Sequence, residues 1–274
     1  MRLAIPHHLS MVWVPYRSRS PYLTGSTGAG LVLAPYAVTG ERECGCTLTI
    51  NGECVELVTA KAVEKLVRKR ACVSIESPVR LGDGLGMSAI ASLSLAYFAE
   101  GPPLERAARI AHVAEVFSGT GLGDVAAILA GGPIAVRIRP GAPGIALVER
   151  YPVPGGVRVY LRRVSSLTTP DMLEELWGRM REKGAELLRW FLRDPTLERL
   201  VEAGRRYSEA LGFMSAVPSG VRAVLDELIR RGKLVDYFVK KSVLAAIAWD
   251  DVPELEDGEW VVMEPAPSPA MLLD

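Results

Sequence analysis

The chain contains no glutamine and a single asparagine, Asn51, in 274 residues. So few heat-labile amides suit a protein that works hot, and a GC-rich genome biases composition the same way. Net charge is absent too, since 32 basic side chains balance 32 acidic ones. That removes any sequence-wide electrostatic pull toward nucleic acid or an anionic membrane. No apolar run approaches the roughly 18 residues that a membrane span needs. The start, Met1-Arg2-Leu3-Ala4-Ile5-Pro6-His7-His8, lacks the apolar stretch of a signal peptide. The expectation is a cytoplasmic protein with neither a nucleic-acid nor a membrane partner. Cysteine is scarce: Cys44, Cys46, Cys54 and Cys72 all fall in the first third. Cys44-Gly45-Cys46 is a C-x-C, and no paired motif or nearby histidine completes a zinc set. Free, partly buried thiols are therefore expected.

Two phosphate motifs are missing as well. Without a Gly-x-x-x-x-Gly-Lys-Ser/Thr the chain is not a P-loop protein. Its glycine loop lacks the last glycine of the dinucleotide fingerprint, because position 87 is methionine. What is present is a globular composition, 49% hydrophobic and 23% charged, long enough for one large domain or two medium ones.

Along the chain, 3–5 reads as a short strand and 6–23 as loop, leading to Gly25-Ser26-Thr27-Gly28-Ala29-Gly30. Residues 31–39 read as a strand, and 46–50 and 53–58 flank Asn51-Gly52, a strong hairpin signal. Thr59 is placed to cap a helix over 60–70, and 71–76 alternates like a strand. Residues 88–99 are small or apolar nearly all round, which predicts a buried helix. A second helix starts at Pro102 or Pro103 and runs to about Phe117. A short helix after Asp124 and strands near 133–139 and 145–149 follow, then proline–glycine clusters at 140–144 and 152–156. The second cluster marks a boundary between 1–152 and 153–274. Beyond it the chain reads as charged amphipathic helices over 171–192, 195–211 and 218–231, a strand at 258–263 and a proline-broken tail, 265–274.

Chemistry gathers at two places. Gly82-Asp83-Gly84-Leu85-Gly86-Met87-Ser88 runs straight into the buried helix. A glycine loop on a helix N-terminus offers unpaired N–H groups and the positive end of the dipole to phosphate. A plain structural turn explains the same residues. Thr120-Gly121-Leu122-Gly123-Asp124 sets a carboxylate in a glycine-flanked turn, where Asp124 is either a ligand-facing acid or an N-cap. Glu115 closes an apolar helix face with His112 one turn earlier. On the residues alone, a solvated glutamate and a hydrogen-bonded core histidine are the favoured readings. Gly25–Gly30 is either a second ligand-facing segment or a tight turn. Arg137 and Arg139 alternate with Val136 and Ile138, so both point to one face, solvated or meeting an anion.

The segment Gly84-Leu85-Gly86-Met87-Ser88-Ala89 resembles the phosphate loop Pro-x-x-x-Gly-Leu-Gly-Ser-Ser-Ala of the GHMP kinases, with methionine for the first serine. These include galactokinase, homoserine kinase and mevalonate kinase. Four further segments are similar to signatures of the archaeal pantoate kinases. They are Pro6-His7-His8-Leu9-Ser10, the 25–30 cluster, Ala111-His112-Val113-Ala114-Glu115-Val116, and Thr120-Gly121-Leu122-Gly123-Asp124-Val125. The likeness covers most of residues 1–150 and thins afterwards. A late glycine-containing motif of the family corresponds here to Lys241-Ser242-Val243-Leu244-Ala245, which has no glycine.

The resemblance implies an α+β, two-domain GHMP-kinase-like fold with the active site in the inter-domain cleft, and a homodimer. It implies ATP-dependent phosphorylation of pantoate's terminal hydroxyl. Gly82, Gly84, Leu85, Gly86, Met87, Ser88 and Ala89 would bind ATP, Ser88 and Glu115 would hold Mg2+, and Asp124 would orient or deprotonate the hydroxyl. For the substrate carboxylate Arg137 is the first choice and Arg139 the second, with His8 and Ser26 as neighbours. Two rivals remain at this stage. One is a GHMP-type kinase for mevalonate, homoserine or a sugar. The other is a non-catalytic ligand-binding relative, favoured by Met87 and the missing glycine but opposed by the joint retention of Ser88, Glu115 and Asp124.

Overall fold

A computed structural model describes residues 1–165, 169–256 and 258–273. It opens on two long antiparallel strands, β1 (Arg2–Tyr16) and β2 (Gly25–Glu41). The loop expected over 6–23 is thus confined to the residues between them. β1 is buried on both faces, so the polar–apolar alternation that marks a half-exposed strand is missing from its sequence. Pro6 sits at a register shift between Ile5 and His7, where a missing N–H costs the ladder nothing. The 25–30 cluster lies within β2 rather than in a turn. A Cβ on Gly30 would come within 2.4 Å of the Leu9 carbonyl and 2.9 Å of His8 Nε2, so glycine is what lets the strands close over His8.

The hairpin over Asn51-Gly52 forms as read, joining β3 (Leu48–Ile50) to β4 (Glu53–Cys54), with both turn residues at positive φ. Helix α1 (Val58–Glu64) is shorter than expected. Leu57 takes the cap position, and the Thr59 hydroxyl bonds Thr120 Oγ1 at 3.0 Å instead. Beyond the helix, Glu100 accepts from the Arg68 amide at 2.6 Å, a partner outside the helix for that N–H. Strand β5 (Val73–Glu76) then pairs with β2 and β3.

The four cysteines are not free thiols. They form two disulfides, Cys44–Cys72 and Cys46–Cys54. The hairpin folds Cys54 back beside the 46–50 segment, and backbone bonds from Arg42 to Cys72 and from Val73 to Thr47 bring Cys72 alongside Cys44. C-x-C spacing shows none of this, because each partner arrives through tertiary pairing.

Helices α2 (Met87–Glu100), α3 (Leu104–Ser118) and α4 (Asp124–Ala130) form where the sequence places them; α2 and α4 pack on the sheet, and α3 packs on α1, α2 and α4. In buried α2 the Ser92 and Ser94 hydroxyls bond back to the Ala89 and Ile90 carbonyls, so neither is left unpaired. β6 (Ile134–Arg139) pairs with β2 and with β7 (Leu147–Tyr151).

After the proline–glycine segment come β8 (Arg158–Arg163), α5 (Thr169–Phe191), α6 (Leu197–Ala210), α7 (Ser219–Arg230), β9 (Leu234–Lys240) and β10 (Val243–Ala248). The three helices were legible; β8, β9 and β10 were not. β10 is buried throughout, so it too lacks a period of two. β11 (Val261–Pro265) pairs with both β8 and β2, and β12 (Met271–Leu273) pairs with β1. The last residue of the tail, Asp274, lies outside the described residues. The second half also grips β1 directly: Tyr207 on α6 donates to the Trp13 carbonyl at 2.6 Å, and the two rings meet edge to face. No described helix is long and apolar enough to cross a membrane.

Loop-closure entropy ranks the two disulfides. The Cys44–Cys72 bridge spans 28 residues and Cys46–Cys54 spans 8, so removal is expected to cost about 3.5 and about 2.5 kcal/mol respectively. Urea unfolding of the C44S/C72S and C46S/C54S double variants checks both the losses and their order.

Candidate active site

The glycine loop reaches the start of α2 through three left-handed residues, Gly82, Gly84 and Gly86, at φ 91°, 76° and 79°. Gly86 is the residue before the helix, so the first-turn N–H groups of α2 have no acceptor within it. The loop is held from the second half of the chain. Ser242 donates to the Gly82 carbonyl at 2.6 Å, and Lys240 Nζ donates to the Gly84 carbonyl. Between these parts lies a cleft of about 390 Å³ lined by the loop, Ser88, the Thr120–Asp124 turn, Arg137, Lys240 and Lys241.

Glu115 is buried rather than solvated, at 2% exposure. Thr120 Oγ1 donates to its Oε1 at 2.8 Å, Thr59 backs Thr120, and the nearby Ser88 hydroxyl, like Thr120, favours the charged form. Its Oε2 is buried without a partner. Burial, with the Asp124 charge adding to it, pushes the carboxyl up to about 7. Mg2+ takes hard oxygen donors, and an unpartnered carboxylate oxygen beside a hydroxyl is such a pair. Ser88 and Glu115 therefore fit the ion. Among the described residues no group of three His, Cys, Asp or Glu gathers there, so phosphate and water oxygens would complete the shell.

Asp124 stands opposite, at the first position of α4. His8 Nδ1 lies 2.6 Å from its Oδ1, and Arg137 Nη1 lies 3.2 Å from His8 Nε2. Burial drives His8 down to about 4, so the ring is neutral at pH 7. A neutral ring flanked by an arginine donor and a carboxylate acceptor carries its proton on Nδ1. Burial alone would raise Asp124. Lys240, the His8 hydrogen bond and Arg137 outweigh it and hold the carboxyl well below the usual carboxylate range. Burial also lowers Lys240, to about 8, against the pull of Asp124.

Arg137 is 1% exposed and bonds Ser10 Oγ as well as His8, while its Nε is buried without a partner. A Cβ on Gly123 would come within 2.6 Å of that Nε and of Ser26 Oγ, so a glycine there keeps both groups beside the cleft.

Across 248 residues the chain is 32% identical to the pantoate kinase of Thermococcus kodakarensis, spanning 84% of this chain and 82% of that protein. The chain belongs to the pantoate kinase family. It is also 29% identical over 219 residues to the pantoate kinase of Methanocaldococcus jannaschii, spanning 77% of this chain and 80% of that one. A solved phosphotransferase related to the CoA biosynthesis pathway superposes with a TM-score of 0.76 at 26% identity, over 98% of this chain and 97% of the other. A putative homoserine kinase from Listeria monocytogenes superposes at 0.60 with 16% identity over 98% of each chain, which establishes the shared GHMP-kinase fold. No protein-family model matches.

In this pantoate kinase family member the structure gathers Gly82, Gly84, Leu85, Gly86, Met87, Ser88, Asp124, Arg137 and Ser26 around one cleft. Glu115 and His8 are buried immediately behind it, and Ala89 lies in the core. Arg139 is elsewhere. A register shift between Arg137 and Arg139 breaks the alternation, so Arg139 turns outward and donates to the Ile145 carbonyl at 2.7 Å. His112 is a core residue whose Nε2 bonds the Thr24 carbonyl at 2.9 Å. Sequence reasoning missed Lys240 and Lys241 as members of the site. The one signal was the late motif that begins at Lys241.

Acid sensitivity follows from these burials. His7 and His8 fall from an ordinary 6.5 to about 4, so the unfolded chain binds more protons and stability is lost as pH falls from 6.5 toward 4. Glu115 acts oppositely, because a raised carboxyl gains stability as pH falls from 7 toward 4.5. Between pH 7 and 5 the two histidines are expected to cost about 4 kcal/mol and Glu115 to return about 2. Urea midpoints in E115Q are therefore expected to fall more steeply over this range than in the parent protein.

Proposed function

We propose that the protein transfers the γ-phosphoryl group of ATP to the terminal hydroxyl of pantoate, giving 4-phosphopantoate on the archaeal route to coenzyme A. The observation that carries this reading is Asp124, an ionised carboxylate 2.6 Å from a neutral histidine, on the same cleft as a glycine loop. The acceptor comes from the relatives' names.

Phosphoryl transfer demands alignment and charge neutralisation more than covalent help. The first-turn N–H groups of α2 meet the polyphosphate. A carboxylate held as low as Asp124 is a weak base before the reaction. It therefore orients the attacking hydroxyl and takes its proton as the new P–O bond forms and the bond to ADP breaks. Mg2+ held by Ser88 and Glu115 would draw charge from the phosphate oxygens. The unpartnered Arg137 Nε, with Ser26 beside it, is the donor assigned to pantoate's carboxylate. On this reading residues 1–152 form the ATP-binding part, and 153–274 close over it.

The test is ADP release from Mg·ATP with pantoate, pantothenate, mevalonate, homoserine or galactose, with the product's mass checked. Turnover on pantoate alone is expected; turnover on another acceptor moves the error to the substrate pocket. Silence in protein that still binds ATP favours a non-catalytic relative. D124A and E115A are expected to lose about 10²–10⁴ in kcat while remaining folded. R137M is expected to raise KM for pantoate about tenfold or more with little change for ATP. Equal effects on both substrates would reject the carboxylate contact.

A further inference from the structure

Lys241 is one of two non-glycine residues with positive φ among the described residues, at 59°. The other, Asn51, is of a type that tolerates this conformation, whereas lysine does not favour it. Lys241 forms the turn between β9 and β10, a place where glycine would be free of strain. An unfavourable residue kept in a strained turn points to a use for its side chain.

The surroundings say what that use is. The residues on either side are the anchors described above: Lys240 on the Gly84 carbonyl and Ser242 on that of Gly82. Ser165 Oγ donates to the Lys241 carbonyl at 2.9 Å, which fixes the turn from its other side. Lys241 lines the cleft with the glycine loop and Ser88, and its charge acts on Glu115. Lys240 acts on Asp124 in the same way. One turn thus brings two ammonium groups to the cleft.

We propose that this turn is a phosphate clamp: Lys240 and Ser242 fix the glycine loop, and Lys241 is held left-handed so that its ammonium meets the nucleotide's polyphosphate. The proposal rests on the ATP-dependent reading of the cleft but not on the identity of the acceptor. A competing role for Lys241, as a structural counter-charge to Glu115, predicts no part in binding free phosphate chains.

Two measurements on the full chain separate these roles. The first is thermal unfolding. K241G relieves the strained turn and is expected to melt about 2–4 °C higher than the parent. The second is calorimetric titration with inorganic tripolyphosphate, and separately with ATP, in metal-free buffer. Affinity for both is expected to fall about 10- to 100-fold in K241G and in K241M, and to be largely recovered in K241R. Tripolyphosphate affinity unchanged in K241G overturns the clamp, whatever the protein phosphorylates. Equal weakening in K241R and K241M overturns it too, because the charge would then not be what matters. If no acceptor is turned over but these affinities fall as stated, the clamp stands and the acceptor assignment fails.

Discussion

An ionised carboxylate taken out of water costs several kcal/mol unless cations and donors meet it. Asp124 is met by His8 from β1, Arg137 from β6 through that histidine, and Lys240 from β9. These partners come from positions scattered over more than two hundred residues, so the group exists only when the whole sheet is assembled. That explains why β1 is buried along nearly all its length, why Gly30 leaves room for an imidazole, and why the second half returns to the first through β11 and β12.

The same packing drives two acids of one cleft apart. Glu115 has hydroxyls for neighbours and burial raises it; Asp124 has cations and is held low. Environments that separate two like groups assign them different work. On the proposed function, the first carboxyl would ionise on meeting a cation, and the second, already charged, would align a hydroxyl. His8 stays neutral between Arg137 and Asp124, so it orients the acid without competing for its proton.

Stability and function meet at the glycine loop. Two of the loop's carbonyls, those of Gly82 and Gly84, are gripped by residues flanking a left-handed lysine. Elsewhere, Cys44–Cys72 ties the 42–54 segment to the residue before β5, and Cys46–Cys54 closes that segment on itself.

The sequence by itself determined the parts whose physics is local. Those are the glycine loop on a helix start, the Asn51-Gly52 hairpin, the small-residue buried helix, the amphipathic helices of the second half, and Ser88 and Asp124 as a hydroxyl and an acid worth watching; Glu115, read locally as solvated, stood out only through the family resemblance. The family signatures in residues 1–150 were legible for the same reason, since each is contiguous. Only the tertiary structure decided which side chains meet. β1 and β10 are buried on both faces and carry no alternation. The cysteines pair through strands that must first dock, and a register shift sends Arg139 outward while Arg137 goes in. Lys240 and Lys241 enter the site from a turn more than a hundred residues after Asp124, and no local period or spacing records a contact made across that distance.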